Sequence, residues 1–211
     1  MSSETRYYAL KLSALIVLVY AVQLIAPEIT EILGFRAVEF PSNYWAIFTS
    51  FFIHSVSDYM HLINNLFFLA IFGTVLEYYI GSKKFILFFV AAGLFANLSA
   101  FIYYPESLVL GASGAVSGII AYLAVIKPRK IGLFWGAPLP MWLVGLMWVV
   151  TNLVSVGADA GIAFEAHLFG LGFGGLIAVF YRSSETGKKA TEEDLEISEE
   201  DIRRWEERYM T

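Results

Sequence analysis

The sequence predicts an all-α membrane protein of six transmembrane helices, and three observations carry that prediction. The first is composition: of 211 residues, 58% are hydrophobic and 16% charged, against about 25% charged in an ordinary soluble domain. The second is a set of six apolar runs, at residues 7–26, 60–80, 85–104, 110–126, 138–156 and 163–181. Each approaches the ~20 residues a helix needs to cross ~30 Å of hydrocarbon, and helices are expected because lipid leaves no partner for a free backbone group. The third is the alternation of charge between the runs, taken up below.

The first run follows Arg6 and contains Lys11, as a secretory signal would. Cleavage is not expected, because Pro27 follows without a small-x-small site and five further runs come after it. No cysteine is present, which excludes disulfides, thiolate zinc sites and a cysteine nucleophile. The net charge of −5 comes from acids gathered in the C-terminal stretch and in alternate loops. Nucleic-acid binding therefore has no basic patch to rest on.

The connections predict orientation. Basic residues stand at the start of run one (Arg6, Lys11), between two and three (Lys83, Lys84), between four and five (Lys127, Arg129, Lys130) and after six (Arg182, Lys188, Lys189). The other loops carry Glu28, Glu31, Glu39, Asp58, Glu106, Asp159 and Glu165, with Arg36 as their basic residue. By the positive-inside rule both termini are expected in the cytoplasm, and runs two, four and six descend from the outer side. His61 and Asn65 near the start of run two, Ser113 near the start of four and His167 near the start of six then fall at one depth. Residues 27–59, rich in aromatics such as Phe40, Tyr44, Trp45 and Phe48, are expected partly in the outer leaflet.

Polar groups in hydrocarbon are costly unless they face a bundle interior or a wet cavity. A serine becomes a nucleophile when a base takes its proton, and imidazole suits that task near neutral pH. Ser113 and His167 are therefore the candidate catalytic pair, expected to act as a dyad, since Glu165 would point elsewhere on the helix. Gly114 with Gly118 and Gly170 with Gly174 give each run a small residue every fourth position, predicting close packing of runs four and six just beyond the polar pair. His61 and Asn65, at i and i+4, share a helix face and are candidate donors to an oxyanion, with the Ser113 backbone N–H as a third. His54, Asp58 and His61 have helical metal-ligand spacing but lack the His-Glu-x-x-His pattern, so no metal and no cofactor is expected. A transporter fits the span count, yet the halves show no repeat and no pair of broken helices.

His61-x-x-x-Asn65, Gly111-Ala112-Ser113-Gly114 and Ala166-His167-x-x-Gly170-x-x-x-Gly174 together resemble the rhomboid family of intramembrane serine proteases. The resemblance implies a six-transmembrane-helix rhomboid-like bundle. It implies Ser113 as nucleophile, His167 as general base, His61, Asn65 and the Ser113 N–H as the oxyanion site, and Glu77 as a structural glutamate ending span two. The implied activity is endoproteolysis of single-span membrane proteins within the bilayer through an acyl-enzyme. The alternative is a catalytically silent rhomboid-like protein that binds membrane helices. The chain departs from many relatives in having Ala46 after Trp45, His54 seven residues before His61, and Ser117 where some carry a Tyr that stacks on the catalytic imidazole. Substrate would have to arrive laterally, so span five from Pro138-Leu139-Pro140 and the small-residue loop 157–161 are the expected gate.

Residues 1–182 are thus expected to form the catalytic domain and 183–211 a charged cytoplasmic tail. In the tail, Thr191 or Ser198 would cap short helices, and Ile202, Trp205 and Tyr209 share a helical face.

Overall fold

The computed structural model describes residues 6–157 and 162–186 together with Arg203. Its six principal helices are α1 (Tyr8–Ile25), α2 (Tyr59–Ile80), α3 (Ser82–Tyr103), α4 (Ser113–Ile126), α5 (Met141–Val154) and α6 (Phe164–Thr186). The fold is an all-α membrane bundle. Four helices, α1, α2, α3 and α6, are long and apolar enough to cross a bilayer unaided. The other two have 14 residues each, about 21 Å at 1.5 Å per residue.

α4 can be short because it is the core. Ten consecutive residues, Gly114 to Leu123, are buried, the all-round burial expected of an apolar helix enclosed by others. It packs against α3 and α5, and against the π turn Leu69–Gly73 in the middle of α2, which also touches α1.

Two boundaries correct the sequence reading. The fourth run was expected from residue 110, but residues 109–111 are not helical and α4 begins at Ser113. Val109 exchanges both backbone bonds with Phe35, at 2.9 and 2.7 Å, and Gly111 donates to the Ser50 carbonyl at 2.9 Å. Non-helical backbone is tolerable at membrane depth when its polar groups are satisfied by protein in this way. Likewise the fifth run was expected to be helical from residue 138, but Pro138 and Pro140 belong to a hairpin, β1 (Ile131–Phe134) with β2 (Ala137–Pro140). Proline removes a helix donor and holds the preceding residue extended. The hairpin turns through Trp135 and Gly136, both with positive φ (49° and 88°), as a two-residue type I′ turn requires.

Polar side chains fix the ends of α1. Its first amides, from Tyr8 and Ala9, donate to the buried Glu77 carboxylate at 3.0 and 2.9 Å, and the Ser82 hydroxyl donates to the same group at 2.5 Å. An anion at a helix N-terminus satisfies orphan donors and suits the dipole. Near the other end, buried Gln23 donates to the His54 carbonyl (2.9 Å) and accepts from the His54 amide (3.1 Å). Asn97 on α3 donates to Ile47 O and Ser50 Oγ, each at 2.9 Å. The long connection between α1 and α2 is thereby tied down from both sides.

Residues 1–179 form one compact unit and 180–211 a second. Of the second, residues 180–186 continue α6, and Arg203 is helical. The caps expected at Thr191 and Ser198, the face of Ile202, Trp205 and Tyr209, and residues 158–161 of the expected gate loop lie outside the described residues.

Candidate active site

The first turn of α4 presents Ser113, and the first turn of α6 presents His167. The structure brings them together, with Ser113 Oγ 2.8 Å from His167 Nε2. Glycine sets that approach. A Cβ added at Gly170 would collide with the Gly114 carbonyl oxygen, and one at Gly174 with that of Gly118, while a Cβ at Gly118 would lie 3.0 Å from Gly170 O. The faces expected to meet are in backbone contact, and Gly114 also abuts Ala96 of α3.

The other imidazole nitrogen has a partner the sequence reading missed. His167 Nδ1 lies 2.7 Å from Asn152 Oδ1 on α5, and Asn152 Nδ2 donates to the Trp148 carbonyl at 2.7 Å. With the amide nitrogen committed to a carbonyl, the oxygen is left to face the ring, so Nδ1 carries the proton and Nε2 accepts from the serine hydroxyl. A signal was present: Asn152 is the one amide side chain in the apolar stretch of α5, and a polar group there is costly without a partner. Among the described residues, no acidic side chain bonds to the ring. The position of the stacking Tyr, Ser117, instead accepts from Trp148 Nε1 at 3.1 Å, and the ring beside His167 is Phe164, edge-on at 6.2 Å.

His61 and Asn65 converge from α2 on the same place. His61 lies 2.8 Å from where a Cβ at Gly111 would stand, and Asn65 Nδ2 3.8 Å from it. Gly111, with φ of 105°, is therefore required by its backbone angle and by that contact. His61 Nδ1 accepts from the Ser55 amide at 3.5 Å, leaving Nε2–H turned toward Gly111, two residues before Ser113. Asn65 Nδ2 spends one hydrogen on the His61 carbonyl (2.8 Å) and keeps a second. Ala112, the residue preceding α4, provides no side-chain cap, so the opening amides of that helix, Ser113 included, have no partner inside it.

His54 stacks near His61, with ring centroids 5.2 Å apart, and is fully buried with neither nitrogen bonded to protein. Burial, reinforced by His61, holds it down at about 4, so it is neutral at physiological pH. Asp58 points its carboxylate at the Met60 amide (3.0 Å) as the α2 cap. Ser113, His167, Asn152, His61, Asn65 and Trp135 of the hairpin all line one cavity of about 870 Å³.

A family model described as the rhomboid domain matches residues 41–184. The chain belongs to the rhomboid family. That match contains His61, Asn65, Ser113, Asn152 and His167, and leaves α1 outside. The chain is 32% identical over 125 residues to Rhomboid-like protein 11, chloroplastic, of Arabidopsis thaliana, covering 59% of this chain and 42% of that one. It is 26% identical over 148 residues to Rhomboid protease GluP of Bacillus subtilis (strain 168), covering 69% and 26%. It is 34% identical over 80 residues to Rhomboid-like protease 3 of Toxoplasma gondii, covering 38% and 30%. The chain thus spans less than half the length of each of these rhomboid relatives.

Proposed function

We propose that this rhomboid-family protein is an intramembrane serine endopeptidase that cleaves membrane-spanning segments through a Ser113–His167 dyad. The 2.8 Å contact between Ser113 Oγ and His167 Nε2 is the observation that carries the reading. In the first step the Ser113 hydroxyl proton passes to Nε2 as Oγ attacks the scissile carbonyl carbon, whose oxygen takes the negative charge. His61 Nε2–H, Asn65 Nδ2–H and the Ser113 amide are the donors for that oxyanion, and such a donor contributes about 10²- to 10³-fold in rate. His167 then protonates the leaving amide nitrogen, the peptide bond breaks, and an acyl-enzyme remains on Ser113. Water, losing its proton to Nε2, attacks the ester, and return of that proton to Oγ releases the new carboxyl terminus. All groups required are side chains and backbone of the chain itself, and the reading calls for no metal or cofactor.

The substrate class is a single-span or other transmembrane protein, reached laterally from the lipid bilayer past α5 and the loop after it. The charge alternation supports both termini in the cytoplasm, with residues 183–211 a tail on that side, and the dyad toward the outer face of the cell membrane. Purified full-length protein, incubated with a fluorescent single-span substrate and separately with a serine-directed fluorophosphonate, tests the reading. Wild type is expected to cleave and to label, and Ser113→Ala to do neither. Undiminished cleavage by Ser113→Ala would overturn the assigned nucleophile. A wild-type protein that captures membrane helices but never labels belongs instead with the catalytically silent relatives.

A further inference from the structure

We infer that Asn152 is a positioning residue for His167, and that α5 must be seated against the bundle for the base to be competent. The inference rests on the peptidase reading above and extends it from a dyad on two helices to a device spanning three. Asn152 is buried at 5% exposure, and its amide is bonded at both ends, to Trp148 O and to His167 Nδ1. The amide cannot be reversed, because its oxygen would then face the Trp148 carbonyl, two acceptors with no donor between them, so Nδ2 stays on the carbonyl and Oδ1 on the ring. The imidazole is therefore held in the one tautomer that leaves Nε2 free to accept from Ser113.

A neutral amide also suits the location. A carboxylate would orient the ring equally well, but a charge inside the bilayer is costly even when paired. Asn supplies the acceptor without the charge.

The placement of this residue on α5 has a further result. Two side-chain bonds run from α5 to the site, Asn152 to His167 and Trp148 Nε1 to Ser117 Oγ. Movement of α5 away from α4 breaks both, and His167 is then free to rotate and to exchange tautomers. The helix that admits substrate thus also switches off the base while it is displaced. Reseating of α5 restores it.

The test compares Asn152→Leu, of similar size but without the acceptor, with Asn152→Asp, which keeps an acceptor oxygen, in the full-length chain. Labelling of Ser113 by a small fluorophosphonate, kcat and KM for the single-span substrate, and thermal unfolding are measured together. Asn152→Leu is expected to lose about 10²- to 10⁴-fold in labelling rate and kcat, the scale seen when a triad base loses its orienting partner. Its KM stays within about threefold of wild type, since a base-positioning group does not carry substrate binding. Asn152→Asp recovers at least about tenfold over Asn152→Leu, as expected for restored orientation of a general base. Wild-type labelling by a folded Asn152→Leu overturns the inference. Nitrogen-15 NMR of the wild-type histidines decides it even where a variant fails to fold: His167 protonated at Nδ1 supports the inference, and protonation at Nε2 overturns it. That spectrum needs no turnover, so a wild type that fails to label defeats the peptidase reading alone.

Discussion

α6 and α5 both border α4, α6 bringing His167 to Ser113 and α5 bringing Asn152 to His167, yet they are attached in different ways. α6 meets α4 backbone to backbone, with Gly170 and Gly174 seated on the carbonyls of Gly114 and Gly118. Nothing in that seam can rotate aside. α5 packs on α4 through Gly145, where an added Cβ would stand 2.6 Å from the Ala124 methyl, has Met141 and Val144 buried, and adds the side-chain bonds of Trp148 to Ser117 and of Asn152 to His167. Its opposite face, with Trp142, Leu146, Val150 and Leu153, is exposed. The nucleophile-to-base distance is therefore built into rigid backbone, whereas the base's orientation is held by bonds that can break and re-form.

Substitutions at three positions probe that difference. Gly170→Val should have the largest effect, because its branched side chain must displace the Gly114 carbonyl. We expect a loss of about 4 kcal/mol or more in stability, the exceptional class of overpacking, with Ser113 labelling abolished; thermal unfolding and labelling measure the two. Gly145→Val should cost less, about 1 to 3 kcal/mol, because α5 can shift toward lipid, and labelling should fall without loss of fold. Equal damage from the two valines would mean that α5 is as rigidly held as α6. Trp148→Phe keeps an aromatic ring but removes the bond to Ser117 and trims the packing against Phe68, so a change of about 1 to 2 kcal/mol in stability is expected, with kcat reduced a few-fold.

The same contrast explains what the sequence made legible. Ser113, His167 and the glycines stand in short motifs on two helices, and close backbone contact is written as a residue type at fixed spacing. Asn152 reaches His167 from a third helix, 15 positions away in sequence, where no spacing rule relates them; only its polarity in an apolar stretch marked it. The starts of the fourth and fifth runs were misread because apolar composition is shared by helix, extended segment and hairpin. What separates them is the pairing of Val109 with Phe35 and the prolines of the hairpin, and the first of these depends on the folded connection between α1 and α2. Glu77 was marked through family resemblance, and its geometry supplies the physical content, a carboxylate that closes the start of α1.

The hairpin between α4 and α5 carries a consequence for association between molecules. Its register pairs Phe134 with Ala137 across the turn and then Leu133 with Pro138, Gly132 with Leu139 and Ile131 with Pro140. In an antiparallel ribbon the hydrogen-bonded pairs alternate, beginning beside the two-residue turn. Pro138 and Pro140 therefore occupy the positions on β2 whose N–H groups would point away from the ribbon. That edge offers carbonyls and no donors, so a third strand, from another copy or another protein, cannot complete a ladder along it. Two prolines close the β2 edge of this two-stranded sheet to a further strand.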